Sequence, residues 1–278
     1  MAQQATRFAT LLFVWIVILL AIMEGARAAT VGQNVVDYVT QARNFELQFR
    51  AGDMEVVSAY VATLEAATEA EPENAELWYM LGRAYLAQAA KALIAQKPEE
   101  ATPAMQKGPA ALRRALKIDP NHAEALAQIG GVQAALGPLL QKPDWITRGV
   151  AQMNRAVEIA PESKRVRLQR AFSGLSLPDS LRNNAAEAED LDFLILAADA
   201  DASSAGDYVR IMRGDLYSEL GKSDLARAMY QTLASLDSSA GDVAKSRLAA
   251  INDGGVPLSE IKALRAAAGA QCAMCHAR

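Results

Sequence analysis

Internal repetition constrains this chain more than any other feature. Trp78, Leu81, Gly82 and Tyr85 stand at the spacing of one helix, and Gly108, Leu112, Ala115 and Pro120 at that of a second. The same grammar returns where Leu126, Ile129 and Gly130 open a unit that Gly149, Met153, Ala156 and Pro161 close. A third unit covers 207–240, with Gly214, Tyr217, Gly221, Ala226 and Tyr230 in corresponding places and Ser238 where the others have proline. Small residues such as Gly82 and Ala115 let two helices approach closely, while Trp78, Tyr85 and Tyr217 fill the gaps between them. One helical pair buries too little surface to be stable alone, so neighbouring pairs must stack into a continuous core.

Composition agrees with an all-α chain. The 278 residues are 51% hydrophobic but only 6% aromatic, and Ala, the best helix former, fills much of the difference. A net charge of −4, without a Lys/Arg run, argues against nucleic acid as a partner. Two His and two Cys leave little material for metal or nucleophilic chemistry, and no catalytic cluster is identified.

On these residues the chain resembles the tetratricopeptide repeat family, whose pattern places Trp, Leu-Gly and Tyr on a first helix and closes a second on Pro. The departure is length: Trp78 and Pro120 stand farther apart than in the family, so 89–107 must hold an extended helix or loop, with a second insertion at 137–144. A weaker pair of helices, split by Pro178, covers 163–199, and 35–70 reads as one more pair. The resemblance implies an all-α, right-handed solenoid of about five helical hairpins over residues 31–251. It also implies a protein or peptide partner in a concave groove. Carrying the family's groove positions across gives Glu76, Tyr79, Arg83, Glu124, Tyr208, Asp215, Ser218 and Glu219.

Several local signals lead nowhere. Gly221-Lys222-Ser223 lacks the upstream glycine of a phosphate loop, where Leu216 stands, and a turn between helices accounts for Gly221. The run from Asp199 to Ser203 resembles a calcium loop but has Ser204 at the turn position and Arg210 at the twelfth. Glu187, Glu189, Asp190 and Asp192 read as a solvated helix face with nothing cationic nearby. His122, in a repeat junction, reads as an exposed polar residue.

The first 28 residues read as an export signal. Arg7 precedes an uncharged apolar run over 9–23, and Ala26-Arg27-Ala28 supplies a small-x-small cleavage site. The alternative is an uncleaved anchor, with residues 8–23 holding the protein at the membrane. Either way the repeats are expected outside the cytoplasm, in a bacterial periplasm.

At the other end, residues 252–278 form a linker with Gly254, Gly255 and Pro257, an expected short helix over 258–268, and the sequence Cys272-Ala273-Met274-Cys275-His276. Cys-x-x-Cys-His is the attachment pattern of a c-type haem: two thiols add to the vinyl groups and the adjacent imidazole ligates iron. This segment resembles the opening of a small cytochrome c domain, although only Ala277 and Arg278 follow the motif. The resemblance implies one covalent haem c on Cys272 and Cys275, with His276 as proximal iron ligand and Met212, Met229 or His122 as alternatives for the sixth. Electron transfer within an envelope complex would be the role. Two further readings stay open: a disulfide or thiol pair in an oxidising compartment, and a zinc site completed by a partner. The repeats also resemble periplasmic factors of cytochrome c maturation, which would make the protein a non-redox chaperone or assembly factor.

Overall fold

The computed structural model describes residues 54–174, 177, 179–200 and 205–252. The export signal, the helix expected ahead of residue 54, Pro178 and the tail with Cys272, Cys275 and His276 lie outside the described residues.

Ten α-helices and one 3-10 turn account for nearly all of the described residues, and no strand occurs among them. They are α1 (Met54–Ala70), α2 (Ala75–Ile94), α3 (Pro98–Ile118), α4 (Ala123–Leu139), α5 (Pro143–Ile159), α6 (Lys164–Gly174), α7 (Asn184–Ala200), α8 (Ala205–Glu219), α9 (Ser223–Ala234) and α10 (Ser239–Asn252). Four hairpins follow one another, α2/α3, α4/α5, α6/α7 and α8/α9, with α1 packed on α2 and α10 on α9. Both insertions are absorbed by longer helices rather than by loops, since only residues 95–97 and 140–142 separate the partners. The architecture is the stacked helical solenoid that the repeats demand.

Within three of the four hairpins, α2/α3, α4/α5 and α8/α9, the crossing is set by glycine. A Cβ on Gly82 would lie 2.7 Å from Leu112 Cγ, and one on Gly149 only 2.3 Å from the Gly130 carbonyl. A Cβ on Gly214 would lie 2.5 Å from the Tyr230 ring. The helices therefore approach to backbone contact, and Leu112, Met153 and Tyr230 close the space beside them almost without exposure.

The hairpin turns share one geometry. Gln96, Gln141 and Gly221 all have positive φ, 57°, 55° and 71°. In each case the next residue's amide donates 2.8 Å back to the first helix: Lys97 to Ala92, Lys142 to Gly137 and Lys222 to Tyr217. This is the helix-ending motif that satisfies orphan carbonyls through one left-handed residue. Pro98 and Pro143 then open the following helices at a position where a missing N–H costs nothing.

The hairpin α6/α7 departs from the others. Counting from the start of each first helix, Arg167 and Arg170 stand where α2 has Trp78 and Leu81. Two guanidinium groups at core positions need a buried counter-charge, and α7 supplies it. Asp190, with no exposed surface, accepts from Arg170 at 2.7 and 2.8 Å and from Arg167 at 2.9 Å. Glu187, also buried, accepts from Arg182 at 2.7 Å, and the same guanidinium reaches Glu219 on α8 at 2.6 Å. The expectation of a solvated acidic face fails for these two carboxylates. Only Glu189 and Asp192 are exposed, and both pair with arginine, Arg167 and Arg213. Burial pushes the Asp190 carboxyl above its ordinary pKa, while Arg170 and Arg167 oppose the shift.

Candidate partner-binding face

The first helix of each of the three leading hairpins starts the same way. Asn74, His122 and Ser163 each stand two residues after a proline (Pro72, Pro120, Pro161) and immediately before α2, α4 and α6. Each is an N-cap. Asn74 Oδ1 accepts from the Leu77 amide at 3.3 Å, His122 Nδ1 from Ala125 at 3.4 Å and Ser163 Oγ from Val166 at 3.4 Å. Short polar side chains serve this purpose because the first amides of a helix have no partner within it.

The caps also join successive hairpins. His122 Nε2 lies 3.1 Å from Glu76 Oε2 on the preceding first helix, and Ser163 Oγ donates at 3.2 Å to Glu124 Oε1 on its own predecessor. Glu76 and Glu124 occupy equivalent places in the first turn, where the helix dipole favours an anion. The cap of one repeat therefore holds the first-turn glutamate of the repeat before it, twice in succession.

Around this junction the structure gathers four of the expected groove residues. The Tyr79 and His122 rings lie 4.9 Å apart, and the Arg83 guanidinium sits 5.4 Å over the Tyr79 ring. Glu124 Oε2 is 3.7 Å from His122 Nδ1. Tyr79 and Arg83 are themselves buried, whereas Glu76 and Glu124 keep about a third of their side chains exposed, 32% and 31%. His122, expected to be exposed, is buried. Burial opposes its protonation, but the Glu76 hydrogen bond and the charges of Glu76, Glu124 and Asp119 outweigh it and hold the imidazole above its ordinary pKa.

The other four residues belong to α8 and meet a different environment. Asp215 has no exposed surface. It accepts from the Tyr230 hydroxyl at 2.6 Å and from Arg247 at 2.9 and 3.3 Å, which makes it an internal link between α8, α9 and α10. Ser218 lies 3.5 Å from the same hydroxyl, Glu219 accepts from Arg182, and Tyr208 is buried. Their packing role is clear, and the carboxylate of Asp215 is shielded from any ligand. Of the alternatives for a sixth iron ligand, Met212 is buried in the core, His122 is engaged by Glu76, and Met229 is half-buried on α9.

An open cleft of about 720 Å³ lies beside the His122 junction, lined by the turn from Glu71 to Asn74, by Ala75 and Glu76, and by Asp119 and His122. Glu71, Glu73 and Asp119 were not anticipated there. The signal for them was the proline-x-cap triplet, which marks where successive turns come together. Trp78 and Arg114 fix the wall of the cleft, donating to the Pro72 carbonyl at 2.9 and 3.2 Å, and Arg114 also pairs with Glu73. Among the described residues no cluster of His, Cys, Asp or Glu is placed to hold a metal, and no helix is long and apolar enough to cross a membrane.

Residues 208–239 match the tetratricopeptide repeat family, so the chain carries a tetratricopeptide repeat on α8 and α9. No curated protein matches the chain.

Proposed function

We propose that the protein is an exported scaffold that binds a partner protein on the face formed by the first helices of its hairpins, and that its tail carries one covalently attached haem. The observation that carries the scaffold reading is the tetratricopeptide repeat at 208–239, set within four stacked hairpins. Such repeats serve mainly as protein-binding surfaces, and the cleft beside Glu73, Glu76 and Asp119 favours a partner segment with basic side chains.

The haem reading is supported by the donor set alone. Cys272 and Cys275 offer two thiols three positions apart in the sequence, and His276 an adjacent imidazole. Bound haem supplies one-electron chemistry, and these side chains would tether it and ligate its iron. The apolar run over 9–23 and Ala26-Arg27-Ala28 support export, on which haem attachment depends. A non-redox assembly factor with a Cys272–Cys275 disulfide is the competing reading, favoured by the three-residue spacing of the chain's two cysteines in the sequence.

Two experiments separate these readings. A photo-cross-linking residue at Glu73, on the cleft, should capture a discrete envelope protein, while one at the exposed Arg148 on α5 should not; equal yields at both sites would defeat the scaffold reading. Mass spectrometry of the mature protein should show one haem that survives denaturation and disappears when Cys272 and Cys275 become Ser. A colourless protein with the two cysteines joined to each other would leave only the non-redox reading.

A further inference from the structure

The ladder of caps has three equivalent positions, and only one of them can change its charge near neutral pH. Asn74 and Ser163 are neutral at every accessible pH, whereas an imidazole titrates within the physiological range. We infer that His122 makes the joint between the first two complete hairpins pH-responsive: protonated, it bridges Glu76 and Glu124, and deprotonated, it lets that bridge relax into a simple helix cap.

The geometry defines two arrangements of the same ring. In the neutral form Nε2–H donates to Glu76 at 3.1 Å and Nδ1 accepts from the Ala125 amide at 3.4 Å. Protonation puts a hydrogen on Nδ1, which can no longer accept from Ala125. Glu124 Oε2, 3.7 Å away, becomes its partner. Because Glu124 Oε1 already accepts from Ser163, the charged ring completes a chain from Glu76 through His122 and Glu124 to Ser163, tying α2, α4 and α6 together.

The groups that face the ring favour the charged state. From α2 come Glu76 and Tyr79, with the Arg83 guanidinium 5.4 Å over the Tyr79 ring; from the α3–α4 turn comes Asp119, and from α4 itself Glu124. Glu71 and Glu73 line the same cleft, with Glu73 taken up by Arg114. The balance is anionic. The folded protein holds the proton more tightly than the unfolded chain, so the stabilisation is complete below the unfolded pKa and is lost as pH rises through the folded one. The cleft is walled by the start of α2 and the α3–α4 turn, the two parts that His122 joins, so its width follows the same proton. This inference concerns the joint alone and stands whatever partner occupies the face.

The test uses the full chain and the variant His122→Ser, which installs the residue already found at the equivalent Ser163 position and keeps a cap for Ala125. Between about pH 5 and pH 8.5, the folded-to-unfolded ratio of the wild type should fall about two- to five-fold further than that of His122→Ser, the range of a partly exposed ion pair. Proton NMR should place the His122 titration above the ordinary histidine value, and Glu76→Gln should return it towards that value. A His122→Ser protein with the wild-type pH dependence, or a wild-type ring titrating at or below the ordinary value, would overturn the proposal.

Discussion

Gly149→Ala adds one methyl group at the point where α4 and α5 touch backbone to backbone. The new Cβ would lie 2.3 Å from the Gly130 carbonyl oxygen, 2.8 Å from the Ala134 amide nitrogen and 3.2 Å from Ala134 Cβ. Such contacts essentially never fall below 3.0 Å, so the helices must part. None of the obstructing atoms sits at the end of a side chain that could rotate away. Overpacking of this kind costs about 1–3 kcal/mol, and rigid backbone neighbours place it near 3. Alanine in mid-helix recovers about 1 kcal/mol over glycine. The net expectation is a loss of about 2 kcal/mol. With a denaturant slope of about 2 kcal/mol per molar, the urea midpoint followed by circular dichroism should drop by about 1 M.

Gly174→Ala is the control. At the end of α6 the nearest atom to an added Cβ is Glu187 Oε2 at 3.3 Å, so the carboxylate that Arg182 holds must give by only a few tenths of an ångström and the loss should stay below about 1 kcal/mol, well under that of Gly149→Ala. If Gly149→Ala were as stable as the wild type, the close crossing of α4 and α5 would be wrong, and with it the account of why small residues recur in three of the four hairpins.

Asp190→Asn leaves two guanidinium groups facing a neutral amide and should cost about 3 kcal/mol in urea unfolding, whereas adding Arg167→Leu and Arg170→Leu should recover much of the loss. Gln141→Gly places the one residue without a steric penalty at a left-handed position and should stabilise by about 0.5–1 kcal/mol, raising the thermal midpoint. The Tyr85 hydroxyl, then Lys107, holds the Glu65 carboxyl below its ordinary pKa, so this contribution is present above the unfolded pKa and is lost as pH falls through the folded one. Tyr85→Phe should raise the Glu65 titration seen by carbon-detected NMR and make the protein less sensitive to acid; an unmoved titration would show that the hydroxyl is not its main partner.

Features set by neighbours along the chain could be read from the sequence, and features set by distant partners could not. Gly82, Gly214 and Ala115 announced the helix crossings because a repeat needs small residues where its two helices meet, and Gly221 announced a turn because nothing else adopts positive φ so cheaply. The equivalent turns at Gln96 and Gln141 were hidden by a side chain that pays a penalty there, although the repeated Gln-Lys-Pro at 96–98 and 141–143 carried the same information. Charge misled the reading most. Asp190 and Glu187 look like a solvent face until Arg167, Arg170 and Arg182 are known to be opposite, and those partners come from another helix or the turn before α7. Repetition offers a way past this limit. Once Asn74, His122 and Ser163 are aligned as equivalent caps, Glu76 and Glu124 fall two residues further on in equivalent frames. A contact between one cap and the preceding glutamate then implies the next: His122 with Glu76 calls for Ser163 with Glu124, and both are present. In a stacked array, translation by one repeat turns a long-range pair into a local rule, so that one observed contact, between a histidine and a glutamate 46 residues apart, predicts the equivalent pair in the next repeat.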